Sequence, residues 1–474
     1  MKLKKLVSAM LVGTMVISLA ACGNNTAKTN GDANSNDNNA STEASGDAST
    51  STGDEKLVVW TLAADLEQFA KKYMESNPNV NIETVVIAPA DYPTKVQTAL
   101  LSGESEPDII VGEPQMLEDM YDAGFFEDLN QAPYNAQDYA DKIVDYVWEV
   151  GQDSEGIQRA ISYQITPAGM YYRRDIAKNV FGTDAPEEVG KLFKDYETIL
   201  TTAQALKDAG YRIFASDVEV SFFAGDSAWV IDNTLNVDQA RHDYMDLCVS
   251  LYQNDLTAYA NQWSTPWYQA MSGKIPILSA DIQSYSDDSV NVWDAEAFAE
   301  ATADMDTTEV FAYGLPSWGV LTMRDNAGET SGLWGVCTGP SYGFSGGTYI
   351  GISSSSERKD LAWDFLKFCT LDEETSNWWI EASQGDTVSL ISVLEAHAED
   401  ANDIYGGQQL YKFWSEQAKG IDYSKVTRYD KSIGDAWNNA ISAIKTGEKS
   451  KEDAINGFYD EIEATYPELT VNRE

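Results

Sequence analysis

A serine and a histidine in this 474-residue chain follow the order of a hydrolase pair. Gly343-Phe344-Ser345-Gly346-Gly347 fits the G-x-S-x-G spacing, and His397 lies downstream. A nucleophile elbow needs a strand, a sharp turn and then a helix. After Ser345 and the two glycines that follow it, the pattern of residues 348–352 instead predicts a strand. The sequence therefore argues against a serine nucleophile.

Other catalytic and metal-binding signatures are missing as well. The chain has no P-loop, H-E-x-x-H or dinucleotide fingerprint, and only two histidines. Cys248, Cys337 and Cys369 are widely spaced and form no C-x-x-C pair. We expect no metal and no cofactor, a buried free thiol at Cys369, and leave one disulfide among the three open. Among the 76 acidic residues, a pair of carboxylates suited to glycoside hydrolysis stays a possible alternative.

Cys22 lies where its thiol could be modified. Three lysines precede an uncharged apolar stretch, residues 6–20, which has the pattern of a secretory signal and is too short to span a membrane. The run Leu19-Ala20-Ala21-Cys22 resembles the lipobox of bacterial lipoproteins, in which the cysteine receives a diacylglyceryl group and the chain is cut before it. The resemblance implies a signal peptide over 1–21 and a lipid anchor on the outer face of a membrane. An ordinary secretory signal is the alternative.

The next segment has the composition of a linker. Residues 23–54 contain no aromatic residue and no Leu, Ile, Val or Met, so they have little apolar surface to bury and are expected to be disordered. With 76 acidic and 32 basic residues, the net charge is −44. Such a surface repels phosphate backbones, which argues against a nucleic-acid partner.

From residue 55 the pattern alternates between strands and helices. The predicted strands of this part are 56–60, 80–87 and 108–111, and the predicted helices are 66–76, 92–101 and 114–123. Asp65 is the expected N-cap of the first helix. The βαβαβ order implies a parallel sheet, and ligands of such sheets bind beyond the carboxyl ends of the strands.

Several runs of residues resemble the extracellular solute-binding proteins of bacterial ABC importers, in particular the carbohydrate-binding group that includes maltose-binding protein. They are Leu57-Val58-Val59-Trp60, Asn77-Pro78-Asn79-Val80, Glu106-Pro107-Asp108-Ile109-Ile110, Gly169-Met170-Tyr171-Tyr172-Arg173, Met271-Ser272-Gly273-Lys274-Ile275 and Gly346-Gly347-Thr348-Tyr349-Ile350. The resemblance covers nearly all of residues 55–474. It implies two α/β lobes joined by about three chain crossings, with the ligand in the cleft between them.

The implied lobes are discontinuous in sequence. One takes residues 55–163 and 345–385, and the other takes 164–344 and 386–474. The carboxyl-terminal segment is expected to form a helical cap whose apolar stripes, around Trp437 and Phe458, belong to the core.

A sugar has apolar faces that aromatic rings cover and hydroxyls that polar side chains bind. The resemblance places the candidate ligand-binding residues after strands, at the hinge and in loops of the second lobe: Trp60, Thr61, Asp65, Glu113, Tyr163, Gln164, Thr166, Phe222, Phe223, Trp229, Asp281, Gln283, Gly346, Gly347 and Tyr349. Some relatives carry a tryptophan in the loop of Asp281, and Trp293 and Trp267 are the candidates to replace it. Asp430 and Asp435 are further candidates from the cap.

The resemblance implies a monomeric binding lipoprotein that captures a sugar outside the membrane by hinge closure and delivers it to ABC permease subunits. Two alternatives stay open at this point. The ligand could be a cation, such as a polyamine or a basic peptide, attracted by the acidic surface. The chain could also be a lipid-anchored glycoside hydrolase.

Overall fold

The computed structural model describes residues 55–88, 91–103, 105–278 and 295–473. Cys22, the predicted signal peptide and linker, Asp281, Gln283 and Trp293 lie outside the described residues. The described strands, numbered β1 to β13 in chain order, are Glu55–Thr61, Val80–Val86, Ile109–Gly112, Ala160–Ser162, Ala168–Arg173, Arg212–Phe214, Val230–Ile231, Thr234–Leu235, Ile275–Pro276, Thr307–Thr308, Val310–Pro316, Trp334–Cys337 and Tyr349–Ile352.

The described α-helices are numbered α1 to α17 in the same way. They are Asp65–Ser76, Tyr92–Ser102, Pro114–Tyr121, Asp145–Val150, Arg174–Phe181, Pro186–Gly190, Tyr196–Asp208, Gln239–Gln253, Thr265–Gln269, Ala295–Ala301, Gly319–Asn326, Lys359–Thr370, Glu373–Ser383, Ile391–Ala396, Leu410–Ala418, Asp430–Lys445 and Lys451–Thr465.

The first large sheet has the strand order β2-β1-β3-β13-β4. Strands β1, β2 and β3 are parallel, as the βαβαβ pattern predicted, while β13 runs antiparallel to β3 and β4. Because β1 and β3 are covered on both faces, their central residues are continuously apolar and buried.

The second large sheet has the order β12-β5-β11-β6. Strand β5 lies antiparallel to both of its neighbours, and β11 is parallel to β6. Adjacent residues of β5 point to opposite faces of this sheet. Consequently Tyr171 joins one hydrophobic core, shared with the first sheet, while Met170 joins a second core with α8 and α16.

The carboxyl-terminal cap consists of α16 and α17. Its buried residues include Trp437, Ile441, Phe458 and Ile462, so the prediction that these stripes belong to the core is confirmed. Cys248, Cys337 and Cys369 are buried free thiols, so the disulfide left open from the sequence is not formed among them.

Candidate functional site

Two chain segments that join the large sheets lie side by side. Residues 163–167 lead from β4 to β5, and residues 338–348 lead from β12 back to β13. The N–H of Ser345 donates a hydrogen bond to the carbonyl of Thr166 at 3.2 Å. Since residues 349–352 form a strand, Ser345 is not followed by a helix, and the G-x-S-x-G match is not a nucleophile elbow.

A third segment, residues 384–390, is bonded to the first of these crossings. The N–H of Ser389 donates to the carbonyl of Tyr163 at 2.8 Å, and the hydroxyl of Thr387 donates to the carbonyl of Ile165 at 2.6 Å. The three segments are therefore joined to one another by hydrogen bonds near the points where the chain passes between the large sheets.

Glu113, Trp318 and Gly346 meet at the carboxyl edges of β3 and β11. Gly346 has a φ of +75°, and a Cβ added there would lie 3.4 Å from Trp318 Nε1 and 4.0 Å from Glu113 Cδ. The indole N–H of Trp318 donates to the carbonyl of Ser345 at 3.1 Å. Glycine therefore lets the backbone pass between a carboxylate and an indole ring.

Two adjoining grooves open beside this edge. The first, of about 350 Å³, is lined by residues that include Pro114, Gln115, Gly346 and Lys431. The second, of about 360 Å³, is lined by residues that include Phe222, Trp229, Arg241, Tyr342, Asp422 and Gly434. Phe344, Val426 and Asp430 line both, and we call the two adjoining grooves together the long groove.

Trp229 and Arg241 form a wall of the long groove that several contacts hold in place. The guanidinium carbon of Arg241 lies 3.8 Å from the centroid of the Trp229 ring. Arg241 also donates to Asp238 Oδ2 and to the carbonyl of Ser227, each at 2.6 Å. These bonds fix the cation against the ring, which gives a rigid aromatic surface.

Two carboxylates, Glu113 beside the long groove and Asp430 in its lining, are partly removed from water. Burial raises the pKa of Glu113, although a hydrogen bond donated by the Gln115 side chain opposes the shift. Burial also raises the pKa of Asp430 to about 6, against hydrogen bonds donated by Thr427. Such half-buried acceptors suit hydroxyl groups that lose their own water on binding.

A second aromatic group borders the same edge. Trp263, with 39% of its surface exposed, lies 5.9 Å from Trp318 between ring centroids. Trp263 has a φ of +69°, a conformation that few non-glycine residues adopt. Trp267, a sequence candidate for stacking on the ligand, is fully buried and donates to Glu219 Oε1 at 2.6 Å. Its ring centroid lies 4.8 Å from that of Trp263, so Trp267 packs against the exposed ring.

The structure brings some of the sequence-predicted ligand residues together at the long groove and edge, namely Glu113, Gly346, Phe222 and Trp229. Others are buried, and several of these have their polar groups bonded inside the protein. Gln164 donates to the Thr348 hydroxyl at 3.1 Å, and the Thr61 hydroxyl bonds within its own loop to Ala63. The buried set consists of Thr61, Tyr163, Gln164, Thr166, Phe223 and Tyr349. Gly347 lies directly between Gly346 and this set, with a φ of +111°.

Trp60, near the end of β1, and Asp65, beyond it, do not line the long groove. Asp65 is the first residue of α1, and Ala64 occupies the N-cap position, so the expected N-cap role of Asp65 is wrong. Its Oδ2 instead accepts a hydrogen bond from the Tyr163 hydroxyl at 3.0 Å. Asp65 thus ties α1 to the segment that joins β4 and β5.

The sequence reasoning missed Trp318, Trp263, Arg241 and Tyr342. Trp318 lies just beyond the end of β11, so the rule that placed Glu113 after β3 could have found it. Arg241 gave no signal, because it lies within helix α8 and reaches the groove only through its long side chain.

The part of the chain that the structure describes contains no group of three or more His, Cys, Asp or Glu residues placed to hold a metal ion. His397, the partner expected of a hydrolase serine, has its ring nitrogens 2.6 Å from Asp400 and 2.8 Å from Asn377. Within the same described residues, no helix is long and apolar enough to cross a membrane.

The two large sheets and the segments that join them form a two-lobed α/β fold. The sequence model of the bacterial extracellular solute-binding proteins matches residues 68–402. The chain therefore belongs to this family, whose members act outside the cell. The comparison with curated protein sequences gives no match.

Solved structures share the fold at low sequence identity. A crystal structure of an extracellular solute-binding protein of family 1 is 18% identical, with a TM-score of 0.69, covering 86% of this chain and 99% of its own. The GacH receptor of Streptomyces glaucescens, solved free and with acarbose, is 14% identical, with a TM-score of 0.64 and coverages of 88% and 99%. The galacto-N-biose/lacto-N-biose I-binding protein of a Bifidobacterium longum ABC transporter is 16% identical, with a TM-score of 0.64 and coverages of 89% and 99%.

Proposed function

We propose that this chain is the substrate-binding lipoprotein of an ABC importer, and that it binds a sugar or oligosaccharide in the long groove. The observation that carries the proposal is the pairing of aromatic surfaces with a half-buried carboxylate, Asp430, along that groove. Trp229 offers a ring for the apolar face of a sugar, and Asp430 offers an acceptor for its hydroxyls. The neighbours of the same fold, whose names record acarbose and lacto-N-biose as ligands, support this ligand class.

The mechanism is closure about the three hinge segments. We propose lobes of residues 55–163 with 345–385, and 164–344 with 386–474. A sugar that contacts groups of both lobes stabilises the closed arrangement, which docks on the permease and releases the sugar there. The chain acts as a monomer and performs no catalysis of its own. Cys22 carries the lipid that holds it at the outer face of the membrane.

Calorimetry with the purified full chain tests the ligand class. The panel should contain mono- to tetrasaccharides of glucose and galactose, together with spermidine and a lysine-rich peptide. Saturable binding of a sugar, insensitive to salt and without hydrolysis products, is the expected result. Binding confined to the cations, or release of sugar products, would refute the proposal.

The anchor is tested separately by expressing Cys22→Ala beside the unmodified chain. The expected result is that the unmodified chain sediments with membranes and that the variant is released or retains an uncleaved signal. Equal membrane association of both proteins, with normal cleavage of the variant, would refute lipidation at Cys22.

A further inference from the structure

Another groove, outside the long groove, lies between helices α4, α14 and α15. It encloses about 450 Å³, which is within the range of small-molecule sites. Its floor is apolar, because Tyr146, Leu394 and Ala418 are buried beneath it and Ile391 is half-buried at its side. We call it the α4–α15 groove.

The rim of the α4–α15 groove is acidic. Asp145 and Glu149 project from α4, Glu395 lies on α14, and all three are exposed. Within the described residues none of the three forms an ion pair, whereas Lys419 is the single basic residue that lines the groove. The rim therefore keeps uncompensated negative charge above an apolar floor.

The α4–α15 groove is separate from the long groove but shares a wall with it. Ile421 and Asp422 line both. The ring of Tyr146, in the floor of the α4–α15 groove, lies 5.3 Å from that of Phe344, which lines the long groove. The two grooves thus lie on opposite sides of one aromatic partition.

We propose that the α4–α15 groove is a binding site for a small organic cation that carries an apolar group, distinct from the sugar site. The apolar group rests on Leu394 and Ala418, and the ammonium lies among the carboxylates of the rim. Neither a neutral apolar molecule nor a hydrophilic polyamine satisfies both halves of the groove. The inference does not depend on the identity of the sugar, since it rests on different residues.

Phenethylamine is a suitable probe, with phenethyl alcohol as its neutral counterpart and phenylacetate as its anionic one. Titrations of the full chain by calorimetry or by ligand-observed NMR should show saturable binding of the amine and at least about fivefold weaker binding of the alcohol. Affinity for the amine should fall as salt is raised. No saturable binding of the amine, or equal affinity for amine and alcohol, would overturn the proposal.

Variants locate the site. Glu149→Gln combined with Glu395→Gln should weaken binding of the amine about fivefold or more, since two attractive charges are lost. Glu416→Gln, an exposed acid on α15 that does not line the groove, is the matched control and should leave it unchanged. Ser415→Trp places a ring in the groove and should abolish binding. Circular dichroism and the melting temperature of each variant show whether it is folded. Undiminished amine binding by the folded double variant and by folded Ser415→Trp would place the amine elsewhere and overturn the proposal.

Discussion

The side-chain carboxyl of Glu219 is enclosed beneath the aromatic residues of the site. We expect it to lower the free energy of unfolding as pH rises. It is fully buried, and burial raises its pKa from 4.5 to about 8, although the hydrogen bond from Trp267 opposes the shift. Between these two values the folded chain holds a proton that the unfolded chain has lost. The free energy of unfolding therefore falls as pH rises, by about 1.4 kcal/mol per pH unit for this group.

The variant Glu219→Gln removes the titration while it keeps an acceptor for the Trp267 indole. The free energy of unfolding of the variant, relative to the unmodified chain, should rise by roughly 4 kcal/mol between pH 5 and pH 8. Urea unfolding at several pH values, followed by tryptophan fluorescence, measures this difference. Asp386, whose pKa burial raises to about 7, contributes equally in both proteins and cancels.

Glu461→Gln, an exposed residue of α17, is the control and should change the pH slope little. A difference between Glu219→Gln and the unmodified chain that stays constant from pH 5 to pH 8 would refute the assignment of a buried neutral carboxyl. So would a variant that becomes relatively less stable as pH rises.

Three further predictions concern the long groove. Trp229→Ala should weaken sugar binding about tenfold or more in calorimetry, because a stacking surface is lost; unchanged affinity would place the sugar elsewhere. Sugar affinity should rise from pH 5 to pH 7.5 as Asp430 ionises through its pKa of about 6, and Asp430→Asn should remove this dependence; a variant with the same pH profile would exclude Asp430 as the titrating group. Gly346→Ala should lower the free energy of unfolding by about 1–2 kcal/mol, because its φ is positive and Trp318 is close. Gly434→Ala, in α16 with open space around it, should instead raise that free energy by about 0.5–1 kcal/mol in urea unfolding; equal effects of the two substitutions would contradict the backbone argument.

The order of strands and helices in the first lobe could be predicted because it depends on local pattern. The apolar run 57–59 and the spacing of Leu66, Phe69 and Tyr73 each determine an element within a few residues of chain. The parallel arrangement of β1, β2 and β3 then followed from connectivity. The antiparallel position of β13 between β3 and β4 depends on a return crossing some 190 residues away, and no local pattern encodes it.

The site was less accessible from the sequence, because neither burial nor internal bonding can be read from residue type. Tyr163 and Gln164 lie in the segment between β4 and β5, yet their polar groups are bonded to Asp65 and Thr348. Trp267 and Trp263 are four residues apart, and only the fold decides which is buried and which is exposed. The ends of the predicted strands indicated the region where a ligand would bind. The contacts within that region depend on the folded structure and could not be predicted.

The three enclosed thiols have a practical consequence for work on this protein. Burial raises the pKa of Cys248, Cys337 and Cys369, so each is held in the unreactive protonated form while its surroundings stay closed. The three belong to α8, β12 and α12, and thus to different parts of the chain. The rate at which a thiol reagent modifies each of them therefore reports how often that part of the molecule opens, without any label having been introduced.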